Sequence, residues 1–432
     1  MAVLLQSLCI KLGVVTGRDL AQACRKYFSF WPNIVLYLLC EAAIIATDVA
    51  EVIGTAIALN LLFHIPLPWG VVLTALDVLL VLVGWKVKYL KIFEGIIITL
   101  VFSCAACFAV LLHKSHPDWR KVALGFVPSK ALFTEKGALY IAMGIIGATV
   151  MPHNLYLHSS IVKYRASRNQ TQIGQINEIE DDDSDQSDAE ERQPITRKEH
   201  LPVTLRMTLI DCVVALCFAL LINAAILIVA AAAFYETGRT DIAELSDAFE
   251  LLKELLGNAA GYLFAVALLF AGQSSTITGT MAGQIVMMGF LGSSWKVKPW
   301  VRQSITRVLA IAPSMAVALI RGDKGVNELL VLTQVILSIQ LPFAVWPLVY
   351  FTSSKRIMTV KYVEKEDSLD AGAHNGSTSS VSSIRDPEVD DSVVEVQNFA
   401  NGPFLTALAI FVAIMITVFN VVLLVQVASG QT

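Results

Sequence analysis

Residues 146–158 read Ile-Gly-Ala-Thr-Val-Met-Pro-His-Asn-Leu-Tyr-Leu-His. They place a thioether, a proline and two histidines inside a hydrophobic segment expected to sit in a membrane. Pro152 has no N–H and its ring clashes with the preceding turn, so a helix through this stretch breaks there. The break frees backbone carbonyls, which can then bind a cation. Irregular backbone at membrane depth persists only where it is buried in protein or lines a cavity. A broken helix with Met151, a soft ligand, and His153 beside the break reads as a metal-transport site rather than as packing.

The chain around this segment is that of an integral membrane protein. Of its 432 residues 55% are hydrophobic and 16% charged, with a mean hydropathy of +0.64. An average globular chain is about 25% charged. The net charge of −4 is small and comes partly from one acidic loop, so no nucleic-acid partner is implied. Runs long enough to span fall near 31–62, 69–85, 92–113, 138–162, 205–235, 258–291, 301–320, 328–352 and 403–428. The N-terminal 15 residues are apolar but short for a span, lack a signal-peptide cleavage pattern, and look like the second half of a helix. That makes ten membrane segments in an all-α, polytopic fold. The seven cysteines form no tight metal-binding repeat. Cys104 and Cys107 make a C-x-x-C inside a predicted span, where apolar packing is the expected use.

Lys and Arg set the orientation. With the loop after the N-terminal stub inside and the sides alternating, the inside loops (14–30, 86–91, 163–206, 296–307 and 354–402) hold 22 of the 32 basic residues. The outside loops hold nine, as the positive-inside rule requires. Two inside loops cannot bury a core: residues 169–200, with nine acidic residues between Glu178 and Glu191, and the Ser- and Asp-rich residues 364–397. They read as solvated linkers, with trafficking or regulatory proteins as the partners such loops would hold. Sequons at Asn169 and Asn375 lie on this inside face and are discounted.

Polar residues in the spans carry the chemistry. Asp48 and Glu51 are three apart and share a helix face, which Thr55 continues. Intramembrane carboxylates are costly and usually line an ion or proton pathway; a structural ion pair with a basic residue elsewhere is the other reading, and the two overlap. His153 and His158 are five apart, do not share a regular helix face and match no zinc-peptidase spacing. Residues 273–280, Gln-Ser-Ser-Thr-Ile-Thr-Gly-Thr, indicate tight helix packing or a wetted pathway. Gln334 can offer a carbonyl oxygen to a cation or make an interhelical hydrogen bond. No nucleophile or cofactor fingerprint appears, so an enzyme is not expected.

Five stretches together resemble the natural resistance-associated macrophage protein (NRAMP) family of divalent-metal transporters: 4–25, 46–59, 147–160, 272–284 and 333–348, in the family's order. Met-Pro-His-Asn with its flanks is the most specific of them. The resemblance implies a LeuT-like inverted-repeat helical bundle with the substrate at mid-membrane, and proton-coupled import of Mn²⁺ or Fe²⁺. It implies a thioether ligand in Met151, a backbone carbonyl ligand in Ala148 and a glutamine ligand in Gln334. It places Asp48, Glu51, His153 and, more weakly, His158 on the proton route, with Arg302 and Arg307 as candidate partners of the carboxylates. No resident cofactor is implied: the metal is substrate and H⁺ the coupling ion.

The family's first helix, with its Asp-Pro-Gly-Asn motif, has no counterpart here, and the match begins within the second helix. An incomplete gene model is the expected reason. The expected organisation is residues 1–162 as an incomplete first repeat through the broken helix that opens the second repeat, 163–204 as an acidic disordered loop, 205–352 as the rest of the second repeat, 353–402 as a second disordered loop, and 403–428 as the final helix. A plasma, vacuolar or endosomal membrane fits, with transport towards the cytosol. The readings from other classes are a non-transporting sensor or scaffold on the same fold, or an inactive truncated product. An organic-solute carrier or a magnesium-selective relative is disfavoured by the thioether of Met151.

Overall fold

In the computed structural model, Ala2–Thr16 forms helix α1, which stops at Gly17 in the left-handed conformation (φ 62). Leu20–Tyr27 forms α2, a short amphipathic helix opened by a capping box in which Asp19 and Gln22 satisfy each other's backbone N–H groups. Phe30–Phe63 is α3, 34 residues long and about 50 Å from end to end. Leu90–Ser115 (α4), Trp119–Gly125 (α5), Ala138–Thr149 (α6) and Pro152–Gly174 (α7) follow. His200–Ala230 (α8) runs into a π turn at Ala231–Tyr235; Leu245–Leu256 (α9), Asn258–Leu291 (α10), Pro299–Ser353 (α11) and Pro403–Ala428 (α12) complete the helices. The structure describes residues 1–74, 90–127, 134–135, 137–174, 200–235, 238, 245–292, 299–363 and 394–429.

Among the described residues, eight helices are long and apolar enough to cross a membrane, and α1 is a shorter apolar one. Their bounds follow the predicted spans closely. The predicted segment near 69–85 lies mostly outside the described residues. The two predicted spans at 301–320 and 328–352 are joined in α11 across a kink at Gly322 (φ 60, ψ −147), a backbone conformation that a side chain would oppose.

Burial ranks the helices. In α3, 72% of the most apolar window is buried, against 17% in α4 and in α8. So α3 is the central post, and α4 and α8 face lipid with exposed residues such as Ile98, Phe102, Met207, Val214 and Leu221. Aromatic residues mark the two interfaces: Phe30 and Trp31 are exposed at one end of α3, Phe63 and Trp69 at the other. The largest apolar cluster joins α1, α2, α3, α7, α10, the second half of α11 and α12.

Two expectations need correction. The margins of the loop 353–402 are ordered: Thr359–Val363 (β1) pairs antiparallel with Val394–Asn398 (β2), with Thr359 opposite Asn398. Both strands alternate apolar and polar residues, and Val360 and Phe399 pack against Ile10, Val14, Val162 and Leu201. The expected acidic loop begins later than residue 163, because α7 continues to Gly174; residues 175–199 lie outside the described residues.

Candidate functional site

The predicted break is present. Helix α6 ends at Thr149, Val150 leaves helical geometry (φ −119, ψ 79), and α7 starts at Pro152. The Val150 N–H donates to the Ile146 carbonyl at 2.9 Å, and the Asn154 N–H to the Met151 carbonyl at 3.1 Å, closing the two helix ends. A helical carbonyl accepts from the N–H four residues on. For Ala148 that residue is Pro152, which has none. The Ala148 carbonyl is thus released by covalent chemistry, and Ala148 is exposed.

The residues facing the break come from two other helices. Met151 packs against a cluster of Ala43 and Ala46 on α3 and Leu337 on α11. One turn back, α6 and α11 approach so closely that only glycine fits at 147. A Cβ there would lie 2.7 Å from the Ser338 nitrogen and would collide with the Gln334 carbonyl oxygen. This contact sets the backbone of Gln334 against α6 at Gly147, with its Cβ 4.0 Å from where a Cβ on Gly144 would stand. The Gln334 side chain has a single long hydrogen bond, Nε2 to Thr333 Oγ1 at 3.4 Å, and its Oε1 is buried without a partner. A buried orphan acceptor is costly, and a cation is one group that satisfies it. Among the described residues no group of three or more His, Cys, Asp or Glu forms a metal cage. The expected donors, a thioether, a backbone carbonyl and an amide, are of a different class.

A second polar group runs along α3. Asp48 and Glu51 are both buried, at 5% exposure. Ser275 Oγ on α10 donates to Glu51 Oε1 at 2.5 Å, while Glu51 Oε2 has no partner. Gly279 of α10 faces both carboxylates: a Cβ there would be 3.4 Å from Glu51 Oε1 and 3.8 Å from Asp48 Oδ1, ordinary contact. Within 273–280, Ser275 thus binds one of the buried carboxylates of α3.

The two arginines divide. Arg307 Nη1 lies 3.8 Å from Asp48 Oδ1, an ion pair without a hydrogen bond, while its Nη2 donates to the Thr74 carbonyl at 3.0 Å. Arg302 makes its hydrogen bonds to a different carboxylate. It holds Glu41, two turns before Asp48, with Nη2 at 2.8 and 2.7 Å from the two carboxylate oxygens and Nε at 3.1 Å from Oε1. Both arginines are buried in the bundle, so they are not the loop charges counted above; removing them leaves the inside excess intact. Glu41 is a residue that the sequence reading missed. Its seven-residue spacing from Asp48 puts it on the same helix face, and that was the available signal. From Glu41 to Thr55 the polar face runs about 21 Å along α3.

The histidines stand apart from these pairs. His153 is buried with Nδ1 unpartnered, and His158 has a buried, unpartnered Nε2. Both lie on α7, which is anchored at the far end of the bundle. There the Leu20 N–H donates to Ser159 Oγ at 2.9 Å and Lys163 Nζ to Gln22 Oε1 at 2.6 Å.

Comparison with known proteins identifies the family. The model of the natural resistance-associated macrophage protein-like family matches residues 1–365. The chain is 52% identical over 359 residues to the divalent metal cation transporter MntH of Listeria monocytogenes serotype 4a (strain HCC23), covering 83% of this chain and 73% of that one. It is 51% identical over the same length to MntH of Agrobacterium fabrum (strain C58 / ATCC 33970), covering 83% and 71%. The crystal structure of the Eremococcus coleocola manganese transporter, in complex with an aromatic bis-isothiourea substituted compound, superposes with a TM-score of 0.75 at 31% identity, over 99% of this chain and 78% of that one. A family match along most of the sequence, relatives more than half identical and a common fold make the kinship plain: this multi-pass membrane protein, with its LeuT-like helical bundle, belongs to the natural resistance-associated macrophage protein family.

Proposed function

We propose that the chain carries divalent transition-metal ions, Mn²⁺ and Fe²⁺, across a membrane into the cytosol, coupled to the downhill entry of protons. The observation that carries the reading is the break itself. In this reading the Ala148 carbonyl that Pro152 leaves without its helical donor, the Met151 sulfur and the orphan Gln334 Oε1 take the ion where α6, α7 and α11 meet. The names of the relatives support a divalent metal as cargo, and the Eremococcus protein supports manganese.

Each residue has a role in this reading. The thioether of Met151 favours borderline-soft ions over Ca²⁺ and Mg²⁺, which prefer all-oxygen sites. Asp48 and Glu51 take and release the proton; Glu41 and Arg302 extend the polar face towards the cytoplasmic end of α3. His153 and, more weakly, His158 continue the proton route on α7. Rocking of one helix group against another exposes the site to each side in turn.

The test is Mn²⁺ uptake into proteoliposomes holding this chain, with and without an inward proton gradient. Uptake stimulated by the gradient, accompanied by proton influx, supports the proposal. A Met151→Ala variant then admits Ca²⁺ that the unaltered protein rejects. Absence of Mn²⁺ uptake, or unchanged selectivity in Met151→Ala, overturns the reading and favours a sensor or scaffold.

A further inference from the structure

Pro152 is not the only proline that strips a helical carbonyl of its donor. In α11, Pro342 stands four residues after Ser338, so the Ser338 carbonyl has no N–H to accept from along its own helix. This carbonyl is not left open. Asn420 of α12 lies opposite, and its Nδ2 donates to the Ser338 carbonyl at 2.9 Å and to the Ile416 carbonyl at 3.0 Å. The Ser338 hydroxyl returns a hydrogen bond to Asn420 Oδ1 at 3.2 Å. Ser338 is fully buried and Asn420 is 4% exposed. Both amide hydrogens and the amide oxygen of Asn420 are thereby used, in a region where an unmet backbone carbonyl is expensive.

The location of this plug links it to the metal site. Ser338 is one turn after Gln334. Its nitrogen, with the Gln334 carbonyl oxygen, forms the surface on which Gly147 rests. The second half of α11 is thus gripped from both sides at one level, by α6 through Gly147 and by α12 through Asn420.

We propose that Asn420 is a positioning residue for the metal site. It gives the Ser338 carbonyl the hydrogen bond that Pro342 withholds, and so holds α11 in the register that presents Gln334 to Ala148 and Met151. The inference rests on the proposed function for the meaning of that site. Without Asn420, the helix is free to bend at Pro342, the Ser338 carbonyl draws in water, and Gln334 loses its fixed place.

Pro342→Ala supplies the test, because it restores a backbone N–H at the position that Ser338 needs. Mn²⁺ binding by the purified chain is measured by titration calorimetry, alongside its thermal unfolding without metal. Asn420→Ala is expected to weaken Mn²⁺ binding about tenfold, the usual effect of losing an outer-shell partner, and to lower the unfolding temperature. Asn420→Asp, whose carboxylate cannot donate, behaves alike. The Asn420→Ala/Pro342→Ala pair recovers most of both losses, which a purely space-filling role for Asn420 would not allow. Wild-type affinity in Asn420→Ala, or a double variant no better than the single one, overturns the proposal. If Asn420→Ala does not accumulate as folded protein, the double variant decides: recovery of folded, Mn²⁺-binding protein supports the idea and no recovery refutes it. Absence of Mn²⁺ binding by the unaltered chain would instead overturn the proposed function, a separate result.

Discussion

Replacing Gly147 with alanine tests how the metal site is assembled. The new Cβ would stand 2.7 Å from the Ser338 nitrogen and nearer still to the Gln334 carbonyl oxygen. Ordinary contact begins near 3.4 Å, so α6 and α11 must part by at least about 0.7 Å. Neither neighbour is a flexible side-chain end, and both belong to a hydrogen-bonded helix turn. Overpacking of this kind costs about 1–3 kcal/mol. The functional effect should be larger than the loss of stability. Metal–ligand distances tolerate only about 0.2 Å, so Gln334 can no longer share an ion with Ala148 and Met151. Mn²⁺ affinity is expected to fall about 10- to 100-fold, the range for disturbed outer-shell support. Gly144→Ala is the control on the same helix. Its Cβ would meet Val335 Cγ2 at 3.7 Å and Gln334 Cβ at 4.0 Å, which is ordinary contact. That variant should be neutral, or more stable by up to about 1 kcal/mol through lost glycine entropy. The assay is the Mn²⁺ concentration dependence of uptake, with thermal unfolding in parallel. If Gly147→Ala keeps both its KM and its unfolding temperature, α6 and α11 do not meet as described and the site is built otherwise.

Two further predictions concern buried charge. Arg302→Met strands the Glu41 carboxylate at 13% side-chain exposure and should cost about 3–5 kcal/mol, read from thermal unfolding; adding Glu41→Gln should return much of it, and no return would show that the pair is not the cause. At the cap of α2, burial raises the Asp19 carboxyl above its ordinary value, a shift opposed in part by the Gln22 N–H and by Lys163. Its folded-state pKa therefore exceeds its unfolded one, so stability rises as pH falls through the window just above the ordinary value of about 3.9. Asn caps a helix about as well as Asp, so Asp19→Asn should keep the cap, flatten that pH dependence and be at least as stable at neutral pH. A steeper profile in Asp19→Asn would assign the slope to another group.

How much of this was legible in the sequence depends on how local the cause is. Span bounds such as 258–291 and 403–428 follow from uninterrupted apolar runs, and the structure places helices there. The break at 150–152 follows from the covalent chemistry of proline. Pairing across helices does not follow from either. The family resemblance offers Arg302 and Arg307 alike as carboxylate partners, and only the packed register sends one to Glu41 and the other to Asp48. The glycines at 147, 279 and 283 look alike on paper. In the fold one meets a backbone, one a carboxylate pair and one the Arg302 guanidinium.

The prolines sharpen the same point. Pro152 and Pro342 each remove one amide hydrogen from a helix in the membrane, and nothing in their neighbouring residues says which carbonyl stays open. The outcome is set by what lies across the gap. An asparagine 82 residues further along the chain closes the gap at Ser338, whereas at Ala148 the proposed function puts a metal ion in the gap. A free carbonyl is therefore a binding site only where no neighbouring helix brings a donor to it. An amide introduced opposite Ala148 should then silence the metal site as surely as deleting Met151.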